Sequence, residues 1–336
     1  MQDSCFRQAG SQQGHGMCSP CLRKGEVQEE RQNKMRVRFQ KILFITDLSQ
    51  SSNRGLPYAV SLAAKFSAKL QVCHVLDFTT AGLYDASMLV LPTRSKELSE
   101  DVERKIRELM SGQTIPWEAL VIEGDPAMAI ASVAEEKGAD LVVATTHGRS
   151  GLSRVLLGSV VERLLHTLHR PLLTLREPEP AGAGVGTKWT PRRILVGCDF
   201  SPGSALALEY ALSLAQEFQS ELHLLHSIEP TLYKHMDATT GALAKELEKA
   251  VENTVRGKLE ALASAEDRAW CEIKTAFTTG NPHEELARYA QANKIDLVVV
   301  GVRGHSLIDR MLVGSTTDRL VRKALCPILA VETPKK

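Results

Sequence analysis

The sequence has no long hydrophobic run and no excess of either charge. No stretch approaches the roughly 18 apolar residues that a membrane-spanning helix needs. Its 41 basic and 40 acidic residues nearly balance, so it lacks the basic footprint of a general nucleic-acid binder. We therefore expect neither a membrane nor a nucleic acid as a partner. A chain of 336 residues, 43% hydrophobic, is expected to fold into about two globular domains.

The sequence also lacks a disulfide pattern. Its cysteines number seven, an odd count, and they are scattered. Four of them lie in or beside apolar segments, where cysteine usually behaves as a small buried hydrophobic residue. Such usage favours a reducing compartment, so we expect a cytoplasmic location. The four are Cys73, Cys198, Cys271 and Cys326.

Residues 1–35 lack both hydrophobic periodicity and the apolar segment of a signal peptide. Their polar composition predicts a disordered extension. Two alternatives stay open. In one, Cys5, His15, Cys18 and Cys21 hold a zinc ion; in the other, Met35 is the true start of the chain.

The rest of the sequence is a tandem repeat. An aspartate and a serine after the first apolar segment recur 152 residues later, and a set of glycines recurs 156 residues later. Repeats of this length are whole domains. We predict a first domain at 36–176, a linker rich in Gly, Pro and Ala at 177–191, and a second domain at 192–333. The matching pairs include Asp47 and Asp199, Ser49 and Ser201, Gly148 and Gly304, and Gly158 and Gly314.

Each repeat alternates short apolar segments with amphipathic ones. Continuous apolar segments are typical of parallel strands that are buried on both faces. Their alternation with helices predicts right-handed βαβ units. The fold class is therefore α/β, with two tandem open doubly wound domains, and we also predict a long helix over 242–264. The predicted strands are 41–46, 70–76, 117–122, 140–145 and 171–175, then 193–198, 221–228, 271–277, 296–301 and 327–331.

Two motifs are predicted to share the ligand edge of each sheet. Ligands of open α/β sheets bind beyond the carboxyl ends of the strands, where the topology switches. In the second repeat the first strand ends at Asp199 and the fourth ends at the 301–304 loop. The carboxylate of Asp199 is suited to accept ribose hydroxyls. Alternatively, it caps the helix that follows.

The glycine motif after the fourth strand is suited to bind phosphate. Glycines allow positive φ and the close approach of a ligand to bare N–H groups. Gly314 and Ser315 begin a helix whose first amides lack acceptors and whose dipole end is positive. Together with the loop glycines Gly301 and Gly304 they would form an anion site, to which Arg303, His305 and Arg310 could add charge. The alternative is structural: a tight turn followed by an ordinary serine cap.

The pattern G-x2-G-x9-G-[ST], in a domain whose first strand ends in Asp, resembles the universal stress protein family. The resemblance spans both repeats, from about 35 to 335. It implies domains with five-stranded parallel sheets flanked by helices, of the adenine nucleotide alpha-hydrolase-like type. In one branch of the family it also implies bound ATP or a related adenine nucleotide, with or without Mg²⁺.

The resemblance also implies roles for individual residues. In the second repeat it places Asp199 at the ribose and Ser227 beside the adenine, although an aliphatic residue is usual at the latter position. It places the phosphates among Gly301, Arg303, Gly304, Gly314, Ser315 and Thr316.

The first repeat matches the motif less completely. Thr145 stands where the first glycine should be, which puts a β-branched side chain beside the expected ligand. We therefore expect the second domain to bind nucleotide more tightly than the first. The matching residues of the first repeat are Asp47, Val75, Gly148, Gly158 and Ser159.

The glycine loops offer hydrogen-bond donors rather than an obvious general base. The fold resembles that of adenylyl-transferring enzymes, but their HxGH and SGGxDS segments are absent from this sequence. We predict a stress-response regulatory protein that binds ATP or a related adenine nucleotide, with at most slow hydrolysis, no catalytic residues and no metal site. The alternative is a nucleotide-independent scaffold that acts through a protein partner whose identity the sequence does not show.

The last strand of each repeat is expected to be a sheet edge, which must be covered or paired. In the family that the sequence resembles, such edges pair between two domains. A tandem repeat allows this pairing within one chain, as a pseudo-dimer. A homodimer of whole chains is left open.

Overall fold

A computed structural model describes residues 37–78, 92–146, 157–176, 188–229, 241–304, 313–323 and 326–332. The N-terminal extension, including its cysteine and histidine residues and Met35, lies outside these ranges, as do Gly148 and most of the predicted linker. Within them all ten predicted strands are present, with ends within two residues of the prediction. The first domain contains β1 (Lys41–Ile45), β2 (Lys69–Leu76), β3 (Trp117–Glu123), β4 (Leu141–Thr145) and β5 (Leu172–Leu175). The second contains β6 (Arg193–Gly197), β7 (Glu221–Ile228), β8 (Ile273–Thr279), β9 (Leu297–Gly301) and β10 (Ile328–Val331).

Helices connect these strands. The long helix predicted over 242–264 is present as Gly241–Ala261. Ser264 then caps a separate short helix through a reciprocal pair of hydrogen bonds with Asp267. The helices of the first domain are α1 (Gln50–Asn53), α2 (Leu56–Phe66), α3 (Pro92–Leu109), α4 (Pro126–Glu136) and α5 (Ser159–Thr167). Those of the second are α6 (Pro202–Phe218), α7 (Gly241–Ala261), α8 (Ala265–Trp270), α9 (Pro282–Ala292) and α10 (Ser315–Lys323).

The strands form one ten-stranded sheet in the order β3-β2-β1-β4-β5-β10-β9-β6-β7-β8. Within each domain all neighbouring strands are parallel. The order reverses between β1 and β4, and again between β6 and β9, as in a doubly wound sheet. The predicted ligand edge therefore coincides with a topological switch point in both domains.

The sheet lies between two layers of helices. Alternate residues of β1 face opposite layers, since Ile42 and Phe44 belong to one buried cluster and Leu43 to the other. The first cluster packs against α2, α3, α6 and α7, and the second against α4, α5, α9 and α10. Burial on both faces explains why the strands are continuous apolar segments.

The two domains join through their last strands. β5 and β10 pair antiparallel, with Leu173 opposite Leu329. These two residues are each other's counterparts in the repeat, 156 positions apart. The pairing is therefore isologous, with an approximate two-fold axis at this pair. The edge pairing predicted within one chain is present.

A second set of reciprocal contacts involves the segments that lead into β1 and β6. The amide of Val37 donates to Ser213 Oγ at 3.1 Å, and the amide of Trp189 donates to Ser61 Oγ at 2.8 Å. Donors and acceptors are both 152 residues apart, so each lead-in segment is held by a helix of the other domain. Aromatic rings pack around these bonds. For example, the ring centroids of Trp189, at the end of the predicted linker, and Tyr58 are 5.1 Å apart.

None of the helices in the described residues has a stretch that is both long and apolar enough to span a bilayer.

Candidate functional site

All eight residues predicted for the second domain line a single cavity. It lies beyond the carboxyl ends of β6 and β9, at the switch point, and has a volume of about 430 Å³. This volume is within the roughly 300–1,000 Å³ typical of small-molecule sites. The eight are Asp199, Ser227, Gly301, Arg303, Gly304, Gly314, Ser315 and Thr316.

Asp199 is fixed at the wall of this cavity by the start of α6. Its Oδ1 accepts a hydrogen bond from the amide of Ser201 at 2.9 Å, and Ser201 Oγ caps the helix by accepting from the amide of Ser204 at 3.2 Å. Phe200 between them has a φ of 63°, an uncommon conformation for a non-glycine residue. The structural alternative for Asp199 is thus partly correct, since one carboxylate oxygen orders the helix start.

The glycine loop passes close to this carboxylate. A Cβ atom added to Gly304 would lie 2.5 Å from Asp199 Oδ2. The loop is fixed at both ends, because the amide of Val302 donates to Val331 O at 2.7 Å and the amide of Gly314 donates to Val302 O at 2.8 Å. The carboxylate and the loop backbone therefore form one wall of the cavity, and a side chain at Gly304 would separate them.

Helix α10 directs its amino end to the same cavity. Its first internal bond is the one from the amide of Asp318 to Gly314 O, at 3.1 Å, so the three preceding amides have no helical acceptor. Thr317 Oγ1 donates to Gly301 O at 2.8 Å and ties this turn to the end of β9. The arrangement provides the partial positive charge and the donors that an anion needs.

Gly301 also has a packing role that the sequence did not predict. A Cβ atom there would come within 2.7 Å of the backbone of Gly203, in the first turn of α6. A Cβ atom on Gly203 would in turn overlap the carbonyl oxygen of Arg303. The two glycines let α6 pack directly on β9 and its loop. Gly301 is thus needed by the neighbouring helix and also lies in the cavity wall, and its role toward a ligand stays a prediction.

Thr145 takes the place of Gly301 in the first domain, and the helix start there has changed. The counterpart of α6 is split into α1 and α2, with Gly55 before α2. A Cβ atom on Gly55 would lie 3.0 Å from Thr145 Cγ2. The threonine methyl thus occupies the space beside the helix, and Gly55 accommodates it.

The first domain's cavity is smaller, at about 250 Å³. Four of the five residues predicted there line it, namely Asp47, Val75, Gly158 and Ser159, while Gly148 lies outside the described residues. Polar groups beside it bond with one another, since Thr46 Oγ1 is 2.9 Å from Ser52 Oγ and donates to Asn53 Oδ1 at 2.7 Å. The volume is below the usual range for a ligand site.

Ser227, the departure from the family pattern, has a hydrogen-bond partner. Its hydroxyl donates to Gly280 O at 2.8 Å, where the chain turns after β8. The polar atom is thereby satisfied within the protein, as a half-buried hydroxyl requires. A serine can replace an aliphatic residue here because that carbonyl is within reach.

Sequence reasoning missed several other residues of the cavity wall. One signal was available, because His74 and His226 recur at the repeat distance of 152. Each ring places Nδ1 close to the carbonyl oxygen at the end of the first strand, at 2.9 Å from Thr46 O and 2.6 Å from Cys198 O. Burial raises the pKa of the Cys198 thiol to about 12, so this thiol stays protonated at neutral pH. The missed residues include Cys198, Ser204, His226, Glu229, Leu286 and Thr317.

Arg303 lines the cavity but already has an anionic partner. Its Nη2 is 2.5 Å from Oε1 of Glu332, just after β10. The positive charge expected at the phosphate end is thus largely compensated.

The groups of His, Cys, Asp and Glu in the described ranges include none that could hold a metal ion, and the four residues of the hypothetical N-terminal zinc site lie outside these ranges.

Comparison with known proteins agrees with this architecture. The sequence model of the universal stress protein family matches residues 38–176 and 190–332. A universal stress protein of Methanocaldococcus jannaschii is 32% identical over 143 residues, covering 42% of this chain and 84% of the relative. One of Synechocystis is 22% identical over 309 residues, covering 86% of this chain and 98% of the relative. The crystal structure of one from Archaeoglobus fulgidus covers 89% of this chain and 98% of its own, at 22% identity and a TM-score of 0.61.

Proposed function

Because the chain belongs to the universal stress protein family, we propose that it is a stress-response regulatory protein whose second domain binds ATP or a related adenine nucleotide. The observation that carries the proposal is the convergence of all eight predicted residues on one cavity at the switch point. Within it, Asp199 is the acceptor for the ribose hydroxyls. The loop and the amino end of α10 receive the phosphates.

The cavity wall supplies both kinds of group that a nucleotide needs. Asp199 and Glu229 supply carboxylates where β6 and β7 end, and hydroxyl and amino groups are suitable partners for them. Gly314, Ser315 and Thr316 supply amides and hydroxyls at the start of α10, where negative charge is favoured. Acceptors from two strand ends and donors from a helix start thus support the binding of a nucleoside joined to phosphate.

The same geometry supports binding rather than turnover. The acidic residues among the described lining of the cavity are Asp199 and Glu229, and this proposal assigns them to the nucleoside and not to a general base. His147 and His305, which follow β4 and β9, lie outside the described residues. We propose at most slow hydrolysis.

Matched variants of the two aspartates test the proposal. We would titrate the nucleotide-free chain with ATP and with adenosine by calorimetry, with Mg²⁺ present, and compare Asp199→Asn with Asp47→Asn. Both changes retain an oxygen that can accept from the following amide, so the fold of each turn is kept. We expect one site per chain, an affinity about 10- to 100-fold lower in Asp199→Asn because a hydrogen bond to a charged group is lost, and no change in Asp47→Asn.

Other results would contradict the proposal. Two equal sites would show that the smaller cavity of the first domain is competent. A loss of affinity only in Asp47→Asn would place the ligand in the first domain. No binding by the folded wild-type chain would favour the alternative of a scaffold that acts through a protein partner without nucleotide.

A further inference from the structure

Arg303 is the only arginine or lysine among the described residues that line the second domain's cavity. The other charged groups there are acidic, Asp199 and Glu229. Among the described residues, Arg303 is therefore the group that can meet a phosphate with positive charge, while His305 and Arg310 lie outside them.

Glu332, which lies outside the cavity, compensates the positive charge of Arg303. Its side chain is only 3% exposed, and Oε1 is 2.5 Å from Arg303 Nη2. A carboxylate is rarely buried this deeply without a cationic partner. At such a distance it cancels most of the field that the guanidinium would exert on a ligand several ångströms away.

The pairing nevertheless leaves Arg303 able to contact a ligand. Its Nε is buried and has no hydrogen-bond partner among the described residues. A buried donor without a partner is costly, and here it belongs to a residue of the cavity wall. The Arg303 side chain as a whole is 29% exposed, so its accessible part, and not Nε, can contact a ligand while its charge is compensated.

Glu332 is held in place by the sheet and by the first domain. The amide of Val302, next to Arg303, donates to Val331 O, next to Glu332. Oε2 of Glu332 lies 3.6 Å from Nδ1 of His169, in the first domain. The first repeat has Arg176 at the position that corresponds to Glu332, so the compensating carboxylate belongs to the second domain alone.

We propose that Glu332 is a specificity-determining residue of the second domain's site. By compensating the charge of Arg303, it removes the advantage that additional phosphate groups would otherwise have. The wild-type site then binds AMP, ADP and ATP with affinities that differ little. This inference rests on the proposed function, because it concerns the same cavity.

Glu332→Gln tests this role, because glutamine keeps the shape and an oxygen acceptor for Arg303 but removes the charge. We would measure the binding of adenosine, AMP, ADP and ATP by calorimetry at one fixed salt concentration, without Mg²⁺. In the wild type we expect less than about tenfold between AMP and ATP, a difference of under 1.4 kcal/mol. In Glu332→Gln we expect ATP affinity to rise roughly tenfold, AMP affinity about threefold at most, and adenosine affinity not at all.

Two further variants make the result specific. Glu221→Gln removes the same charge from a half-buried carboxylate near the start of β7, about 20 Å from the ligand edge at the rise of a strand, and should leave all affinities unchanged. Arg303→Gln with Glu332→Gln should lose the gain in ATP affinity, because the gain requires an uncompensated guanidinium.

The failure of this inference is distinguishable from the failure of the proposed function. If no nucleoside or nucleotide binds to the folded wild type, both fail. If nucleotides bind but ATP is favoured more than about 100-fold over AMP in the wild type, the compensation is absent and only the inference fails. Equal changes for all four ligands in Glu332→Gln, or a gain that persists without Arg303, would likewise overturn it. The wild-type comparison decides the matter if Glu332→Gln does not fold.

Discussion

At the residue scale, the site depends on places where no side chain fits. Gly203 and Gly301 lie back to back where α6 meets β9, and Gly304 lies against the carboxylate of Asp199. None of these three has a φ in the left-handed region, so glycine is required there by contact and not by backbone conformation. Their role is to bring a helix, a strand end and a carboxylate together around one cavity.

Gly203→Ala should lower the free energy of unfolding by roughly 1–3 kcal/mol, because its methyl would overlap the carbonyl oxygen of Arg303 and the backbone must shift. Urea titration followed by circular dichroism would measure the change. The matched control is Gly257→Ala in α7, where a Cβ atom meets nothing within 4 Å. That variant should be about 1 kcal/mol more stable than the wild type, and equal effects of the two substitutions would contradict the contact argument.

A second residue-scale feature lies near the start of β7, at the amino ends of the strands and thus on the side of the sheet away from the cavity. His223 is buried, with Nδ1 2.9 Å from the hydroxyl of Tyr289 and Nε2 2.8 Å from Glu221 Oε1. Burial lowers the pKa of His223, although Glu221 opposes the shift. Lys274 pairs with Glu221 from β8, and Arg193 on β6 lies 3.6 Å from it. The neutral imidazole is therefore the form that the fold favours.

The sign of this shift makes stability depend on pH. Above the unfolded-state pKa of 6.5 the imidazole is neutral in both states, and its contribution is fully present. As pH falls below that value, the unfolded chain binds a proton that the folded chain resists, and stability is lost as pH falls through the folded-state pKa. We expect the free energy of unfolding to fall between about pH 7 and pH 5.

His223→Gln should make that pH profile flatter. Glutamine is a suitable replacement because Gln71 stands at the corresponding position of the first domain and donates to Glu118 at 2.7 Å. Some slope should persist, since the pKa of His283 is lowered as well, mainly by burial. Urea titrations at several pH values would measure both profiles, and identical slopes would show that His223 is not responsible.

At the element scale, the last residue of the fourth strand differs between the two domains, and so does the start of the helix that packs beside it. Beside Gly301 the chain forms the single helix α6, whereas beside Thr145 it forms the short α1 and then α2. The two domains thus differ in the whole start of this helix, and not only in the side chain at the end of the strand. It accompanies the smaller cavity of the first domain.

Thr145→Gly should therefore not create a second nucleotide site. We expect one bound ATP per chain, as in the wild type, because removing the side chain leaves the division between α1 and α2 unchanged. The substitution should also lower the free energy of unfolding by about 1–2 kcal/mol through the flexibility of glycine in a strand and the lost methyl contact with Gly55. Calorimetry and urea titration would measure the two effects, and a stoichiometry of two would contradict the first.

The elements were the most predictable part of the molecule. Strands buried on both faces are continuous apolar segments, and the repeat displays each of them twice, so their ends could be predicted within two residues. The long helix predicted over 242–264 ends at Ala261, and the short helix that Ser264 caps was not predicted. Asp140 and Asp296, which also recur, lie at the other edge, where each accepts two amide hydrogen bonds at the start of the first strand.

The position of the cavity could be predicted from the sequence, but the contacts of the residues that line it could be predicted only in part. Asp199 and the glycine motif occur at strand ends, which the topology brings together. The contact between Gly203 and Gly301 joins residues about 100 positions apart, and no local sequence pattern indicates it. The same holds for Glu332 and Arg303, since a glutamate at the end of an apolar strand is ordinarily exposed.

At the scale of the whole molecule, the two domains share one continuous sheet and reciprocal contacts. Leu173 faces Leu329 in the seam, and Phe66 faces its own counterpart Phe218 with ring centroids 6.4 Å apart. An arrangement in which each residue meets its counterpart is self-complementary. The surface that one domain presents to the seam would therefore fit a second copy of that same domain.

We accordingly expect the isolated second domain, residues 188–336, to form a dimer through β10. In such a dimer Leu329 would face its own copy, and the amide of Trp189 would donate to Ser213 of the other copy, as it donates to Ser61 in the full chain. Light scattering after size-exclusion chromatography would measure the mass. Leu329→Lys should give a monomer because it places a charge in the seam, and a wild-type fragment that is monomeric would contradict the prediction.

The covalent connection of two self-complementary halves has a genetic consequence. In a homodimer every substitution is made twice, so an allele that damages one site damages both and an asymmetric protein cannot arise. In this chain a codon at Thr145 or Glu332 changes one half only. The seam requires the two halves to remain matched where they meet, but each ligand edge is free to diverge. Selection can thus retain one binding site and assign the other a different task without any loss of assembly.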